Sequence, residues 1–246
     1  MNEYFDKKLE IEFLYLFLKE KFEQSRLKFL VIFSILIFYI AIPSFHIPSL
    51  EITRTRISGV MEQRALENFL IFYPAQHWIS YDRIPVSFKQ AALVMEDDGF
   101  ASHRGIDWES LQLASRINLR RGKIVRGGST ITMQTAKNIY FTTQRSYFRK
   151  AKEILAAIRM EKELPKQTIL EHYLNIVELG EGIFGIQAAS RKFFNTDLDK
   201  LNRDQVARII AILPSPLKHK PNDNSRFVIR RKNLALSRMS SAILPE

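Results

Sequence analysis

The apolar segment LKFLVIFSILIFYIAIPSF, residues 27–45, restricts the fold of this 246-residue chain more than any other feature. Lys28 is its only charged residue. At about 1.5 Å per residue, a helix over this segment reaches about 27 Å, near the lower limit for crossing the hydrocarbon core of a bilayer. Because 26 residues precede the segment and no small-residue cleavage pattern follows it, we expect a membrane anchor and not a cleaved signal peptide.

The charges beside this segment predict its orientation. Its N-terminal end carries the basic residues Lys19, Lys21, Arg26 and Lys28, and the positive-inside rule keeps such an end in the cytoplasm. We therefore expect a cytoplasmic segment at 1–26, a transmembrane anchor at 27–45, a linker and membrane-proximal region at 46–84, and a folded domain at 85–246. For the first 25 residues two alternatives stay open, a helix along the inner leaflet and a solvated tail.

The composition narrows the classes of partner. With 46% hydrophobic residues the chain can bury a sizeable core, and its net charge of +11 favours a polyanionic neighbour. That neighbour could be nucleic acid, an anionic lipid surface or a phosphorylated substrate, but export of the domain argues against nucleic acid. The chain has no cysteine, which excludes disulfides, thiolate metal sites and a cysteine nucleophile.

Helix signals dominate from about Met61 onward, and no convincing strand alternation is present. Asp107 is expected to cap a helix that Gly122 ends, and Ser129 is expected to cap the next one. Further helices are predicted at 146–164, 166–177, 184–194 and 202–213, followed by a basic closing helix from Arg226. The sequence therefore predicts one mainly α domain.

Charged residues cluster in two places. Glu96, Asp97 and Asp98 end an apolar run, 91–95, whereas residues 116–152 include ten basic residues and no acid. Within the basic run, RGGSTITMQTAKN places two glycines before a capped helix start, a backbone geometry that favours an anion. The absence of a lysine at the Walker position excludes a P-loop nucleotide hydrolase.

Five segments follow one another in the order and spacing of the motifs of a known family. They are EDDGFASHRGID, RGGSTITMQTAKN, RKAKEILAAIRME, KQTILEHYLNIVELG and GIFGIQAASRKFF. In these segments the chain resembles the peptidoglycan glycosyltransferases, which comprise domains of bifunctional penicillin-binding proteins and the monofunctional biosynthetic transglycosylases. The resemblance covers about residues 85–220. Since no transpeptidase domain fits after them, we expect a monofunctional member.

The resemblance implies a mainly α, lysozyme-like glycosyltransferase domain, preceded by one transmembrane helix. It implies a single-pass protein of the bacterial inner membrane, with a cytoplasmic N-terminus and a periplasmic catalytic domain. The expected partners are lipid II, the growing glycan strand, the membrane and other cell-wall synthesis proteins, with no nucleic acid.

The matched motifs also imply the site residues. Glu96 corresponds to the family's general base, and Glu153 corresponds to a second catalytic glutamate near the donor's diphosphate. The positions that match the family's substrate cleft are Asp97, Ser129, Thr130, Gln134, Lys137, Asn138, Arg149 and Lys150.

The chemistry of sugar transfer requires residues of these types. An acceptor hydroxyl that attacks an anomeric carbon must give its proton to a base, here Glu96. A sugar alcohol would need an acid in order to leave, whereas a lipid diphosphate leaves as a stable anion and needs cations. Glu153 could hold a divalent cation, Mg²⁺ or Mn²⁺, against the diphosphate, or it could orient lysine and arginine side chains; both alternatives stay open.

Two residues depart from the family's pattern and bear on donor affinity. Met133 stands where members commonly have a glutamine, and Phe193 replaces a tyrosine. Neither change removes the base or the cations, so we predict an active, inverting enzyme that polymerises lipid II and releases undecaprenyl diphosphate. Two alternatives remain, a lysozyme-like hydrolase that cuts glycan strands and a non-catalytic scaffold of cell-wall synthesis.

Overall fold

A computed structural model of the chain describes residues 19–35, 37, 47–54, 57–68, 76–123, 125, 127–144 and 146–245. The chain separates into two compact units, Met1–Ser44 and Phe45–Glu246. In the first unit, residues 19–35 form a helix, α1, whose apolar side chains, Phe29 and Ile32 among them, are exposed.

The predicted membrane anchor at 27–45 is described only in part. Residues 27–35 belong to α1, whereas residues 36 and 38–45 lie outside the described residues, as do residues 1–18 of the predicted cytoplasmic segment. Within the described part of the chain, no helix combines the length and the apolar character that a membrane crossing requires.

The second unit is mainly helical, as the sequence predicts. Its longer helices are α2 (Gly59–Glu67), α3 (Val86–Glu96), α4 (Trp108–Arg121), α5 (Ile131–Tyr140), α6 (Tyr147–Glu163), α7 (Lys166–Ile176), α8 (Ile186–Phe194), α9 (Arg203–Ala211) and α10 (Arg226–Arg238). Short 3₁₀ helices lie at Pro48–Glu51, Tyr81–Arg83, Leu198–Lys200 and Met239–Ser241.

Capping side chains fix several of these helix boundaries. The Asp107 carboxylate accepts a hydrogen bond from the Ser110 N–H at 2.8 Å, and Gly122 ends α4 in the left-handed region at φ 62°. Asn202 and Gln205 form a reciprocal capping box at the start of α9. The boundaries predicted for these two helix starts are confirmed.

The predicted cap of α5 is wrong by one residue. Thr130, not Ser129, accepts the hydrogen bond from the Met133 N–H, and its hydroxyl donates to the Gly105 carbonyl at 2.6 Å. Thr130 is buried and so needs both bonds, whereas the Ser129 hydroxyl accepts a hydrogen bond from Lys150 Nζ at 2.7 Å. The cap therefore belongs to the residue that tertiary packing buries.

A short hairpin interrupts the helical pattern after α7. Strands β1 (Glu178–Gly180) and β2 (Ile183–Phe184) pair in antiparallel fashion. The sequence analysis did not predict them because two or three residues are too few for alternation to be read. Gly185 follows at φ 78°, and a Cβ atom there would lie 2.3 Å from the Asn175 carbonyl oxygen, so α8 begins at Ile186 and not at the predicted residue 184.

Helix packing holds the end of α3 in place. This helix packs against α9 and α10, while α5 packs between α6 and α7. Phe88, Ala92 and Leu93 of α3 are buried in the core. The last residue of α3 is Glu96, so its backbone is supported by a packed helix.

The described parts of the region predicted as a linker, 46–84, contact the helical core. The ring of His172 in α7 is hydrogen-bonded to the Leu50 carbonyl at 2.8 Å. Met61 of α2 packs with Ile176 and Phe184 in one hydrophobic cluster. The Trp78 indole N–H donates to the Glu171 carboxylate at 2.7 Å.

Candidate active site

Glu96 lies at the C-terminal end of α3 with a side chain that is 12% exposed. Arg231 Nη2 donates to its Oε1 atom at 2.9 Å, and Gln134 Nε2 donates to its Oε2 atom at 3.3 Å. Burial raises the pKa of Glu96 above its ordinary value, and the charge of Arg231 opposes that rise. The carboxyl group therefore has a raised pKa and accepts two hydrogen bonds of unequal length, which suits a general base.

Asp97 is buried and its carboxylate is engaged by other protein groups. His103 Nε2 is hydrogen-bonded to both carboxylate oxygens, at 2.9 and 3.0 Å, and the Ile131 N–H donates to Oδ2 at 2.8 Å. These bonds join the end of α3 to the first residue of α5. The contacts of this predicted substrate-binding residue support the site's backbone.

A cavity of about 350 Å³ opens beside Glu96. One wall is the end of α3 with Asp97 and Asp98, and another is the backbone of the stretch 127–130. Gly128 has little room there, because a Cβ atom would lie 3.0 Å from the Leu111 Cα atom. A larger residue there would force α4 or this stretch to shift by a few tenths of an ångström.

The basic residues of α5 and α6 gather around one acid. Glu153 is buried, and its carboxylate forms ion pairs with Arg149 Nη1 and, at 3.1 Å, with Lys150 Nζ. Lys150 Nζ also donates to the Ser129 hydroxyl at 2.7 Å. Burial, together with the charges of Arg149 and Lys137, lowers the pKa of Lys150 to about 8, a shift that the paired Glu153 carboxylate opposes. Arg126 and Arg145 of the predicted basic run lie outside the described residues.

Lys137 is the cation of this group that lacks a fixed partner. Its ammonium has no hydrogen bond and no ion pair with the residues that the structure describes. Burial is the main cause that lowers its pKa, and the charge of Arg149 adds to the effect. A partly buried amine that lacks an acid partner suits an anionic ligand.

The described residues form no cage of protein ligands for a divalent cation. The residues described in the structure contain no group of three histidine, cysteine, aspartate or glutamate side chains that could hold a metal ion. Glu153 is already paired with two cations, Arg149 and Lys150. These contacts fit the second alternative from the sequence, in which the carboxylate orients basic side chains.

The remaining predicted cleft residues lie on α5 or at its start. Gln134 connects α3 with α7, since it donates a hydrogen bond to Glu96 and accepts one from the Tyr173 hydroxyl at 3.4 Å. Asn138 is buried one turn further along the helix. Thr130 lines the cavity, but its hydroxyl is used by the cap of α5.

The two departures from the family's pattern lie in packed surroundings. Met133 is fully buried and packs with Ile106 and Ala157 in a hydrophobic cluster. The ring of Phe193 meets Gly180, where a Cβ atom would lie 3.4 Å from the Phe193 Cζ atom. A tyrosine would carry its hydroxyl at that carbon, facing the hairpin.

Sequence reasoning missed Arg231. The buried residues of α10 include Val228 and Ala235, and Arg231 lies three residues after the first and four before the second. An arginine on the buried stripe of an amphipathic helix indicates a charge with a buried partner. That periodicity was the available signal, although it could not say which acid the arginine meets.

Comparison with known proteins finds one matching family and several close relatives. The family model described as Transglycosylase matches residues 62–240. A biosynthetic peptidoglycan transglycosylase of Janthinobacterium sp. (strain Marseille) is 42% identical over 168 residues, which cover 68% of this chain and 73% of the relative. A protein of the same description from Dechloromonas aromatica (strain RCB) is 39% identical over 170 residues, covering 69% and 74%.

Proposed function

This chain belongs to the transglycosylase family and is a peptidoglycan glycosyltransferase, and on that premise we propose that it polymerises lipid II by inverting attack on the donor. The acceptor is the 4-hydroxyl of a GlcNAc residue and the electrophile is C1 of the donor MurNAc. Undecaprenyl diphosphate is the leaving group.

The proposed mechanism depends on the side chains that one face of α5 presents to the site. Gln134 contacts Glu96, and Lys137, three residues later, lies on the same face of the helix. The charge of Arg149 lowers the pKa of Lys137, and the charges of Arg149 and Lys137 both lower the pKa of Lys150. Helix α5 thus spans the distance between the mostly buried Glu96 carboxylate and a group of cations.

Each group has one step in the reaction. Glu96 takes the proton of the acceptor hydroxyl as the hydroxyl oxygen forms a bond to C1 of MurNAc. The bond from C1 to the diphosphate oxygen breaks, and its electron pair leaves with the diphosphate. Lys137, Arg149 and Lys150 stabilise the negative charge that develops there. Because the displacement is single, the configuration at C1 inverts.

The state of Glu153 favours transfer over hydrolysis. A lysozyme-like hydrolase needs a second carboxyl group that stays protonated and gives its proton to the leaving alcohol. The two cations paired with Glu153 stabilise its charged form instead. An acid with these partners is suited to orient Arg149 and Lys150 toward a diphosphate.

We propose a lysozyme-like arrangement of the domain and a single-pass anchor at 27–45 in the inner membrane, with the N-terminus in the cytoplasm and the catalytic domain in the periplasm. The hydropathy of the segment and a lipid-linked substrate support this, since an anchor confines enzyme and substrate to one surface. Association with other cell-wall synthesis proteins is an extension of the same proposal.

The test is polymerisation of labelled lipid II by the purified full chain in detergent and in vesicles. We expect polymer from the wild type and at least about 100-fold less from Glu96→Gln. Glu62→Gln, the same change at an exposed acid of α2, is the matched control and should retain full activity. An inactive wild type, or a fully active Glu96→Gln variant, contradicts the proposal.

Two further assays separate the alternatives. Digestion of purified sacculi should release no muropeptides if the enzyme is a transferase, whereas a hydrolase would release them. Full complementation of a deletion strain by Glu96→Gln would favour the scaffold.

A further inference from the structure

Arg231 joins three helices at the site. It lies on the buried face of α10 and donates through Nη2 to Glu96 at the end of α3. Through Nε it donates at 2.9 Å to the carbonyl of Ala211, the last residue of α9. A helix C-terminus favours a cation at its unpaired carbonyls, so this bond fixes the guanidinium independently of Glu96.

We propose that Arg231 is a positioning residue for the base: it holds Oε1 of Glu96, so that Oε2 is the atom that receives the proton of the acceptor hydroxyl. The inference deepens the proposed function and rests on it. It adds a residue of the C-terminal helix to the machinery that the matched motifs of residues 96–194 contain.

The two oxygens of Glu96 differ in a way that supports this assignment. Oε1 has a charged donor at 2.9 Å, whereas the neutral amide of Gln134 lies 3.3 Å from Oε2. A charge-assisted bond is about twice as strong as a neutral one, so an incoming hydroxyl displaces the Gln134 contact more readily. Holding one oxygen also limits rotation of the carboxylate, which keeps the other in line with the acceptor.

A second basic residue of α10, Lys232, serves as a control for Arg231. Lys232, the next residue, pairs with Asp204 of α9 at 2.7 Å, and among the described residues it forms no hydrogen bond or ion pair with Glu96. Its side chain is 15% exposed and that of Arg231 is 23% exposed, so both are mostly buried cations that tie α10 to the domain. Only Arg231 reaches the base.

The charges around Glu96 determine what a change at Arg231 should do. Arg231 stabilises the carboxylate, whereas the negative charge of Asp97 disfavours it. Lys137 of α5 interacts favourably with the Glu96 charge, and the buried Tyr173 hydroxyl of α7 stays neutral beside it. Removal of Arg231 leaves burial and Asp97 less opposed, so the pKa of Glu96 rises.

The experiment compares Arg231→Gln, Arg231→Lys and Lys232→Gln in the full chain in detergent. The pKa of Glu96 is measured by ¹³C NMR on protein labelled at the glutamate side-chain carboxyl, and the signal is assigned by its loss in Glu96→Gln. Lipid II polymerisation is then followed as a function of pH. A loss of folded protein scales the rate without moving the acid limb, so the limb reports on the base itself.

We expect Arg231→Gln to raise the pKa of Glu96 by about one unit or more and to move the acid limb equally. In Arg231→Lys the pKa of Glu96 should lie between its values in the wild type and in Arg231→Gln. A lysine keeps the charge but lacks the guanidinium fork that binds Ala211 and Glu96 together. Lys232→Gln should leave both values in place. An unchanged pKa in Arg231→Gln, or an equal shift in Lys232→Gln, overturns the inference. The NMR result does not depend on turnover, whereas an inactive wild type contradicts the proposed function.

Discussion

The Asp97 carboxylate accepts a hydrogen bond from the Ile131 N–H at 2.8 Å, across 34 residues of chain. The end of α3, which carries Glu96, and the first turn of α5 are therefore held together by a buried acid. Since α5 carries Gln134 and Lys137, this bond ties the position of Glu96 to that of the helix whose cation we assign to the diphosphate.

Asp97→Asn tests this structural role. The change removes the charge that His103 and Ile131 bind, so we expect the free energy of unfolding to fall by about 1–3 kcal/mol. Urea unfolding measures the effect. Asp98→Asn is the neighbouring control, because that side chain is 57% exposed and should cost little. If Asp97→Asn loses activity at unchanged stability, Asp97 contacts substrate as the sequence predicts.

Met133→Gln introduces the residue that the family commonly has at this position, and we expect it to lower stability without raising activity. The amide would enter the cluster of Ile106 and Ala157 without a partner, so we expect a loss of about 1–3 kcal/mol in the free energy of unfolding and no gain in polymer. Met133→Leu should cost less than about 1.5 kcal/mol. A more active Met133→Gln variant of wild-type stability would show that the position reaches the donor.

Lys137→Met should separate stability from activity. The pKa of Lys137 is lowered from 10.5 in the folded protein, so the unfolded chain binds more protons and wild-type stability rises with pH between the two pKa values. At neutral pH the wild type pays the free-energy cost of burying a charged lysine, and the variant does not. The variant should therefore be at least as stable as the wild type, while its activity falls about 100-fold or more. Thermal unfolding and lipid II polymerisation measure the two effects. Reduced stability together with normal activity would contradict the assignment.

The alkaline side of the pH profile should report on Lys150. Its pKa of about 8 means that the cation is lost in mildly alkaline solution, and activity should decline there. In Lys150→Arg the charge persists, so the decline should move to higher pH. Lys152→Arg is the control, because this half-buried lysine of α6 lies with its ammonium 4.8 Å from the Phe148 ring centroid, and it should leave the limb in place. If the alkaline limb of the pH profile is unchanged in Lys150→Arg, another group controls that limb.

Chelation tests the divalent cation that the sequence analysis allowed. Because Glu153 is paired with Arg149 and Lys150, we expect EDTA to leave the rate of polymerisation within about twofold of the untreated rate. Loss of activity that Mg²⁺ or Mn²⁺ restores would instead mean that Glu153 and the substrate's diphosphate bind an ion together.

Local signals predicted much of the fold, and tertiary contacts decided the rest. Asp107, Gly122 and Asn202 act within one turn of chain, so their roles could be read from neighbouring residues. The hydroxyls of Ser129 and Thr130 are equally good caps in isolation, and only burial of Thr130 selects between them.

The candidate site shows the same division. The apolar run before Glu96 predicted a carboxylate on a rigid support, and α3 provides one. The pairing of Glu96 with Arg231 could not be predicted, since no sequence period connects residues 135 positions apart. Likewise, the sequence does not show that Met133 points into a cluster and Gln134 toward the base.

The separation of Glu96 from Arg231 also imposes an order in time on the nascent protein. At roughly 5–20 residues per second, synthesis of the 135 residues between them takes roughly 7–27 s. Throughout that interval the base lacks the cation that holds it. The Glu96–Arg231 pair therefore forms only once α10 has docked, and under the proposed mechanism that docking completes the active site.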